Sequence, residues 1–270
     1  MLIRRFNAFH RALHVVVAVS FIGLVASGMP LKYSAAPWAA WLMKALGGYH
    51  AAGLIHRICA LVTFGYFFAH IGYVIYDIAI VRKFRFNIIG PESMVPWLKD
   101  LEDLYQNIRW FLGMGPRPRM DRWTYWEKFD YLAVFWGVGM IGVSGLFLWF
   151  PEFLGRFFPG WVFNIATVIH SDEALLAAGF IFTIHFFNTH LRPEKFPMDP
   201  VIFTGSLTLE EFKNERPLEY QRLVETKSLD QRTTEQQAAW LTDAGILFGF
   251  ALVLAGFALL ILIIFGQFVY

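Results

Sequence analysis

Five stretches of this chain carry no Asp, Glu, Lys or Arg over roughly the width of a bilayer: residues 12–31, 58–76, 131–151, 174–191 and 244–270. About 20 consecutive apolar residues are enough to cross a hydrocarbon core as a helix. With no water there to take up backbone N–H and C=O groups, each crossing segment must satisfy them internally, which favours helices over any open sheet. The expectation is an all-α membrane protein with five transmembrane helices. Composition agrees, since 57% of the residues are hydrophobic and only 16% charged, which does not fit a soluble domain of this size. Arg4 and Arg5 imitate the charged end of a signal peptide. Cleavage near Ser27 would discard His14, so the first helix is read as retained.

Lys and Arg set the expected orientation. Lys32, Lys44 and Arg156 alone fall in the predicted outer loops. Arg4, Arg5 and Arg11 precede or begin the first helix, and segments 82–128 and 192–232 hold nearly all the rest. The positive-inside rule then puts the N-terminus in the cytoplasm and the C-terminus outside. The net charge of +2 reflects this topology and implies no nucleic-acid partner.

Along the chain, Trp38 and Trp41 suit an interfacial belt in a short outer loop. The run GMGPRP at 113–118 is a breaker. Thr208-Leu-Glu-Glu211 has the capping-box form and predicts a surface helix. No internal repeat is visible. The chain reads as one integral-membrane domain over 1–270, with a helical bundle over 5–190, polar cytoplasmic segments at 78–127 and 191–240, and a fifth helix over 241–270.

The histidines carry the chemistry. His56 and His70 lie 14 residues apart on the second helix, and His170 and His185 lie 15 apart on the fourth. Each gap is roughly 21–22 Å of helix and about 40–60° of rotation. Each pair therefore shares a face, with one imidazole near each membrane surface. Ionisable or metal-binding groups at membrane depth read as functional, and imidazole is a natural axial ligand of haem iron. His56 and His170 make an outer pair. His185 makes an inner pair with His14 or with His70. The lone Cys59 excludes an internal disulfide, a CxxCH attachment site and an iron–sulfur cluster, so any haem is non-covalent haem b. Cys59 itself reads as a small core residue.

Arg57 interrupts the apolar run beside His56. A buried arginine there suits a haem propionate, and the bland reading is a side chain snorkelling to the interface. Gly137, Gly139, Gly142 and Gly145 cluster on helix three. The GxGxxG they contain has no strand before it, so it is read as close helix packing and not as a dinucleotide loop.

With these residues placed, the chain resembles the bacterial dihaem cytochrome b family, which includes the membrane subunits of formate dehydrogenase-N and NiFe hydrogenase. Three segments carry the likeness. FHRALHVVVAVSFIGLVASG gives His14 followed 14 residues later by Gly28. GLIHRICALV supplies His56, which lies 42 residues after His14, and VIHSDEALLAAGFIFTIH supplies His170 and His185. The likeness covers the first four helices and implies a four-helix haem-binding bundle, to which the C-terminal helix is added. It implies two b haems, held by His14 with His185 and by His56 with His170.

His70 departs from that pattern. Two histidines each on helices two and four are similar to the cytochrome b of bc-type complexes, where His70 would replace His14, or hold a third haem with His10 or His190. The fifth helix and HLRPEKFPMDPVIFTG resemble chains partnered by multihaem c-type cytochromes.

The resemblance further implies a bacterial inner (cytoplasmic) membrane protein that passes electrons between a quinone or menaquinone pool and an extracytoplasmic redox subunit, either a multihaem cytochrome c or a metal-containing oxidoreductase. It puts the quinone near the inner haem, where RWTYWEKFDY offers Tyr125, Glu127 and Lys128. Glu127 would carry protons, because a half-buried carboxylate has a tunable pKa. The bland reading of that stretch is interfacial anchoring by its aromatic residues.

Two other classes compete. A di-iron oxidase or desaturase would use the HxxxH of His10 and His14 and the HxxxxH of His185 and His190, but it would gather its histidines at one membrane face. A histidine-relay transporter would show a polar pathway, repeats or broken helices.

Overall fold

A computed structural model describes residues 1–85 and 87–269. Phe86, in the first polar segment, and Tyr270, the last residue of the fifth apolar stretch, lie outside the described residues. The chain is an all-α, multi-pass membrane protein, 73% helical, and five of its helices are long and apolar enough to cross a membrane. These are α1 (Ala8–Lys32), α3 (Tyr49–Val81), α5 (Tyr125–Trp149), α6 (Gly160–Leu191) and α9 (Ala239–Gln267). Shorter elements are α2 (Pro37–Ala45), α4 (Leu98–Phe111), α7 (Leu209–Glu215) and α8 (Pro217–Glu225).

Local chemistry sets the helix ends. The Asn7 side chain accepts from the His10 backbone N–H and so caps α1. The predicted surface helix begins at Thr208, where the Thr208 hydroxyl and the Glu211 carboxylate cap one another's backbone N–H groups. The outer loop expected to carry Trp38 and Trp41 is instead the helix α2. Pro37 occupies its first turn, where a missing N–H costs nothing and φ is already helical.

The described residues form two compact units. The first comprises Met1–Arg11, Tyr73–Val134 and Pro200–Gly245, and so gathers most of the two polar segments. It holds a small sheet that the sequence reading lacked, with β1 (Leu2–Arg4) between β2 (Ser206–Thr208) and β3 (Thr233–Thr234). All pairings are antiparallel, with Ile3 opposite Leu207 on one side and Thr233 on the other. Ile3, Val201, Leu207, Phe212 and Leu223 form its core.

The second unit comprises Ala12–Gly72, Phe135–Asp199 and Ile246–Tyr270. Its core draws Val25 and Met29 from α1, Ala178, Phe182 and Phe186 from α6, and Val253, Leu259 and Ile263 from α9. The fifth helix is thus packed into the bundle. A Cβ at Gly256 would fall 2.6 Å from the Phe186 ring, and one at Gly266 would fall 2.7 Å from Tyr33, so glycine permits these approaches. All four expected haem ligands, His14, His56, His170 and His185, belong to this unit.

Candidate functional site

Within the second unit, His56 on α3 and His170 on α6 face one another with ring centroids 6.1 Å apart and planes inclined at 68°. Hydrogen bonds fix which nitrogen of each ring is engaged. His170 Nδ1 lies 2.9 Å from the Ile141 carbonyl. A carbonyl only accepts, so Nδ1 is the protonated nitrogen and Nε2 keeps its lone pair. His56 Nδ1 lies 3.0 Å from Ser27 Oγ. The Ser27 hydroxyl donates to the Gly23 carbonyl at 2.6 Å, so its oxygen accepts from His56, which again leaves Nε2 with the lone pair. Metal-ligating histidines are commonly oriented this way, by a hydrogen bond at the other ring nitrogen.

Glycines seat both rings. A Cβ at Gly28 would fall 3.2 Å from His56 Cε1, and one at Gly145 would fall 2.9 Å from His170 Cε1. Of the helix-three glycines, Gly142 likewise admits Phe64, whereas Gly139 meets nothing within 4 Å. Close packing thus explains part of the cluster. The α5 segment Val138–Gly142 is π-helical. Such turns recur at functional sites, and here the segment contains Ile141, whose carbonyl accepts from His170.

This donor set fits a haem iron: His56 and His170 would hold it, each with Nδ1 already engaged by a neighbour, and it would supply one-electron redox chemistry. A second group lies elsewhere in the same unit. His14 is within electrostatic reach of His185 and His190, and His185 of His190. His14 Nδ1 is enclosed, His185 sits in the π-helical turn Ile181–His185, and the buried His190 accepts from the Asp199 backbone N–H at 3.3 Å. His14, one of the two candidates to partner His185, is thus within electrostatic reach of it. His70 meets Phe135 edge-on at 6.3 Å, and His10, in the first unit, bonds Asn7 at 2.7 Å. The exposed Arg57 guanidinium lies over the Trp149 ring at 5.6 Å. Among the described residues no three His, Cys, Asp or Glu side chains gather as a metal-ion site.

The residues predicted to meet quinone lie in the first unit and are engaged in it. Glu127 accepts from the Thr124 backbone N–H and hydroxyl at 2.8 and 2.9 Å, and from Arg216 at two points, 3.0 and 2.9 Å. Arg5 approaches it at 3.4 Å, donates to the Arg122 carbonyl and reaches Glu219 at 3.4 Å. Burial, followed by the Arg216 charge, lowers the Arg5 guanidinium to about 10. Burial also works against the Arg216 charge, but Glu127 and neighbouring carboxylates hold that group above its usual value. Glu127 is therefore the acid of an ion-pair knot with the buried Arg5 and Arg216.

Tyr125 accepts from Asn107 at 2.9 Å. Lys128 donates to Asp100 at 2.9 Å. It also lines a cavity of about 220 Å³ with Trp97, Lys99, Asp100, Asp103 and Trp123.

Sequence reasoning missed Ser27 and the Ile141 carbonyl. Ser27 carried a signal, since it adjoins Gly28 and shares a helix with His14. Ile141 carried none, because the group that acts is its backbone. Compared with known proteins, the chain matches no family model and no curated protein.

Proposed function

We propose that the chain is a membrane-embedded b-type cytochrome subunit that carries electrons between a quinone pool and an extracytoplasmic redox partner. The observation that carries this reading is the facing pair His56–His170, with both Nδ1 atoms held by neighbours and both rings seated on glycine. Haem b bound there would supply one-electron redox chemistry. The chain's own residues do the rest. Ser27 and Ile141 fix the tautomer and rotation of the rings, and a hydrogen bond at Nδ1 raises the basicity of the ligating nitrogen. His14 and His185 are the proposed ligands of a second haem, with His190 beside them. Arg57, stacked on Trp149, is the proposed cation for a propionate. His70 is the alternative partner of His185, or would join if three haems were bound.

For quinone, the cavity beside Lys128 is the proposed contact in place of Glu127. Its volume suits a single ring more than a whole drug-sized ligand. An ammonium has three donors, so Lys128 can bond Asp100 and a quinone carbonyl together. The proposed setting is a bacterial inner membrane with the N-terminus cytoplasmic. The proposed partner is a multihaem cytochrome c or a metal-containing oxidoreductase subunit on the other side.

The test is a dithionite-reduced minus oxidised spectrum of the purified chain, with pyridine haemochrome quantitation. Two b haems per chain are expected, and three would bring in His70. A chain without haem overturns the proposal and returns the di-iron and transport readings.

A further inference from the structure

Helix α4 (Leu98–Phe111), wholly within the first unit, is amphipathic in an unusual sense, because polar groups occupy the face it buries. Asp100, Asp103 and Asn107 are buried, while Leu98, Leu101, Tyr105, Ile108 and Phe111 are 48–81% exposed. At about 100° per residue, the helix has three sides. Asp100, Asp103 and Asn107 form the inward side. Leu98, Leu101, Leu104, Tyr105, Ile108 and Phe111 form a broad apolar side. Glu102, Gln106 and Arg109 form a polar edge. A helix packed on a soluble core would bury its apolar side.

The inward side fixes where this helix sits. Asn107 donates to Tyr125 at 2.9 Å, and Asp100 accepts from the buried Lys128 at 2.9 Å. Tyr125 and Lys128 belong to the first turn of α5, a membrane-spanning helix. That turn enters the bilayer, and its Tyr125 and Trp126 have the interfacial character of a membrane boundary. Two bonds 7 residues apart along α4 therefore lay the helix alongside a membrane entry point. One exposed cation is placed to match: Arg109 lies over the Tyr105 ring at 5.8 Å, beside the apolar side where phosphate headgroups would sit.

We infer that α4 is an in-plane membrane helix, with its Leu98–Phe111 apolar side seated in the headgroup–acyl boundary of the leaflet that the first turn of α5 enters. The inference is independent of haem and of quinone. An apolar face of this kind sinks about 5–10 Å into the interface, which also removes the contradiction of a large hydrophobic surface facing water.

Single cysteines at Leu101, Tyr105 and Ile108, and one at Glu102, placed in a Cys59→Ala background, test it. Each full-length chain is labelled with an environment-sensitive fluorophore and reconstituted in lipid nanodiscs. Three face positions ensure that loss of one variant leaves two readings. The expected result is blue-shifted emission at the three face positions. A lipid carrying a nitroxide near its glycerol end should quench it roughly twofold, and aqueous iodide should leave it intact. The Glu102 label should show the reverse. Iodide quenching at the face positions overturns the inference. Protection from both quenchers also overturns it, because the face would then be covered by protein, a second copy of this chain included.

Discussion

The two units engage polar groups in opposite ways. In the first, Glu127 is saturated by the Thr124 backbone and hydroxyl, a two-point bond from Arg216 and an approach from Arg5. Each oxygen of that carboxylate has a cation or donor. In the second, His56 and His170 are held at Nδ1 and turn a lone-pair nitrogen elsewhere. A saturated buried charge stabilises geometry, and losing one member leaves the other uncompensated. A ring fixed at one nitrogen is oriented but still has a bond to make. Engagement by neighbours alone therefore does not distinguish a site from a scaffold, whereas the number of remaining valences does.

The largest effect should come from the second unit. His170→Ala and His56→Ala should each remove one haem per chain, and the same one, read by pyridine haemochrome and by identical losses from the difference spectrum. Unchanged haem content in either variant breaks the pairing. Next, Glu127→Gln should cost about 3 kcal/mol, seen as a lower thermal midpoint of the helical circular dichroism signal in detergent. Haem per folded chain and quinol turnover should stay unchanged. Slowed turnover with an unshifted midpoint would restore Glu127 as a proton carrier.

Gly145→Ala comes third. Its Cβ would fall 2.9 Å from His170 Cε1, so the ring must move, at about 1 kcal/mol, with a shifted haem potential and haem retained. Gly139→Ala, where nothing lies within 4 Å, should leave that potential alone. The smallest effect concerns acid. Burial would raise the Glu92 carboxyl, but Arg122, Arg232 and Arg222 together hold it below its ordinary 4.5. The stability it contributes is complete above that ordinary value and is lost as pH falls through the lower folded value. Glu92→Gln should flatten this acid limb in a pH series of thermal midpoints.

What was legible followed from local pattern. The five spans show as charge-free apolar runs, and the Thr208–Glu211 cap lies within four consecutive residues. The sheet was illegible because its strands are two or three residues long and Leu2 pairs with Thr208 and Thr234, too short and too distant to leave a period-2 signal. Glu127 stood out as a carboxylate at a membrane edge. Its partners, Arg5 and Arg216, lie 122 residues before and 89 after, and nothing local announces them. Pro37 was the overlooked clue to α2. The histidine depths could be read from helix rise, but the donors and acceptors that orient the rings sit on neighbouring helices.

The strand Leu2–Arg4 has a consequence for biosynthesis. It is made before the membrane-spanning helices, yet its partners Ser206–Thr208 and Thr233–Thr234, and the Arg5 contact to Glu219, are translated only after the fourth of them. Until then the strands that pair with it do not exist. The sheet of the polar unit therefore closes late, after the first four spans have been made.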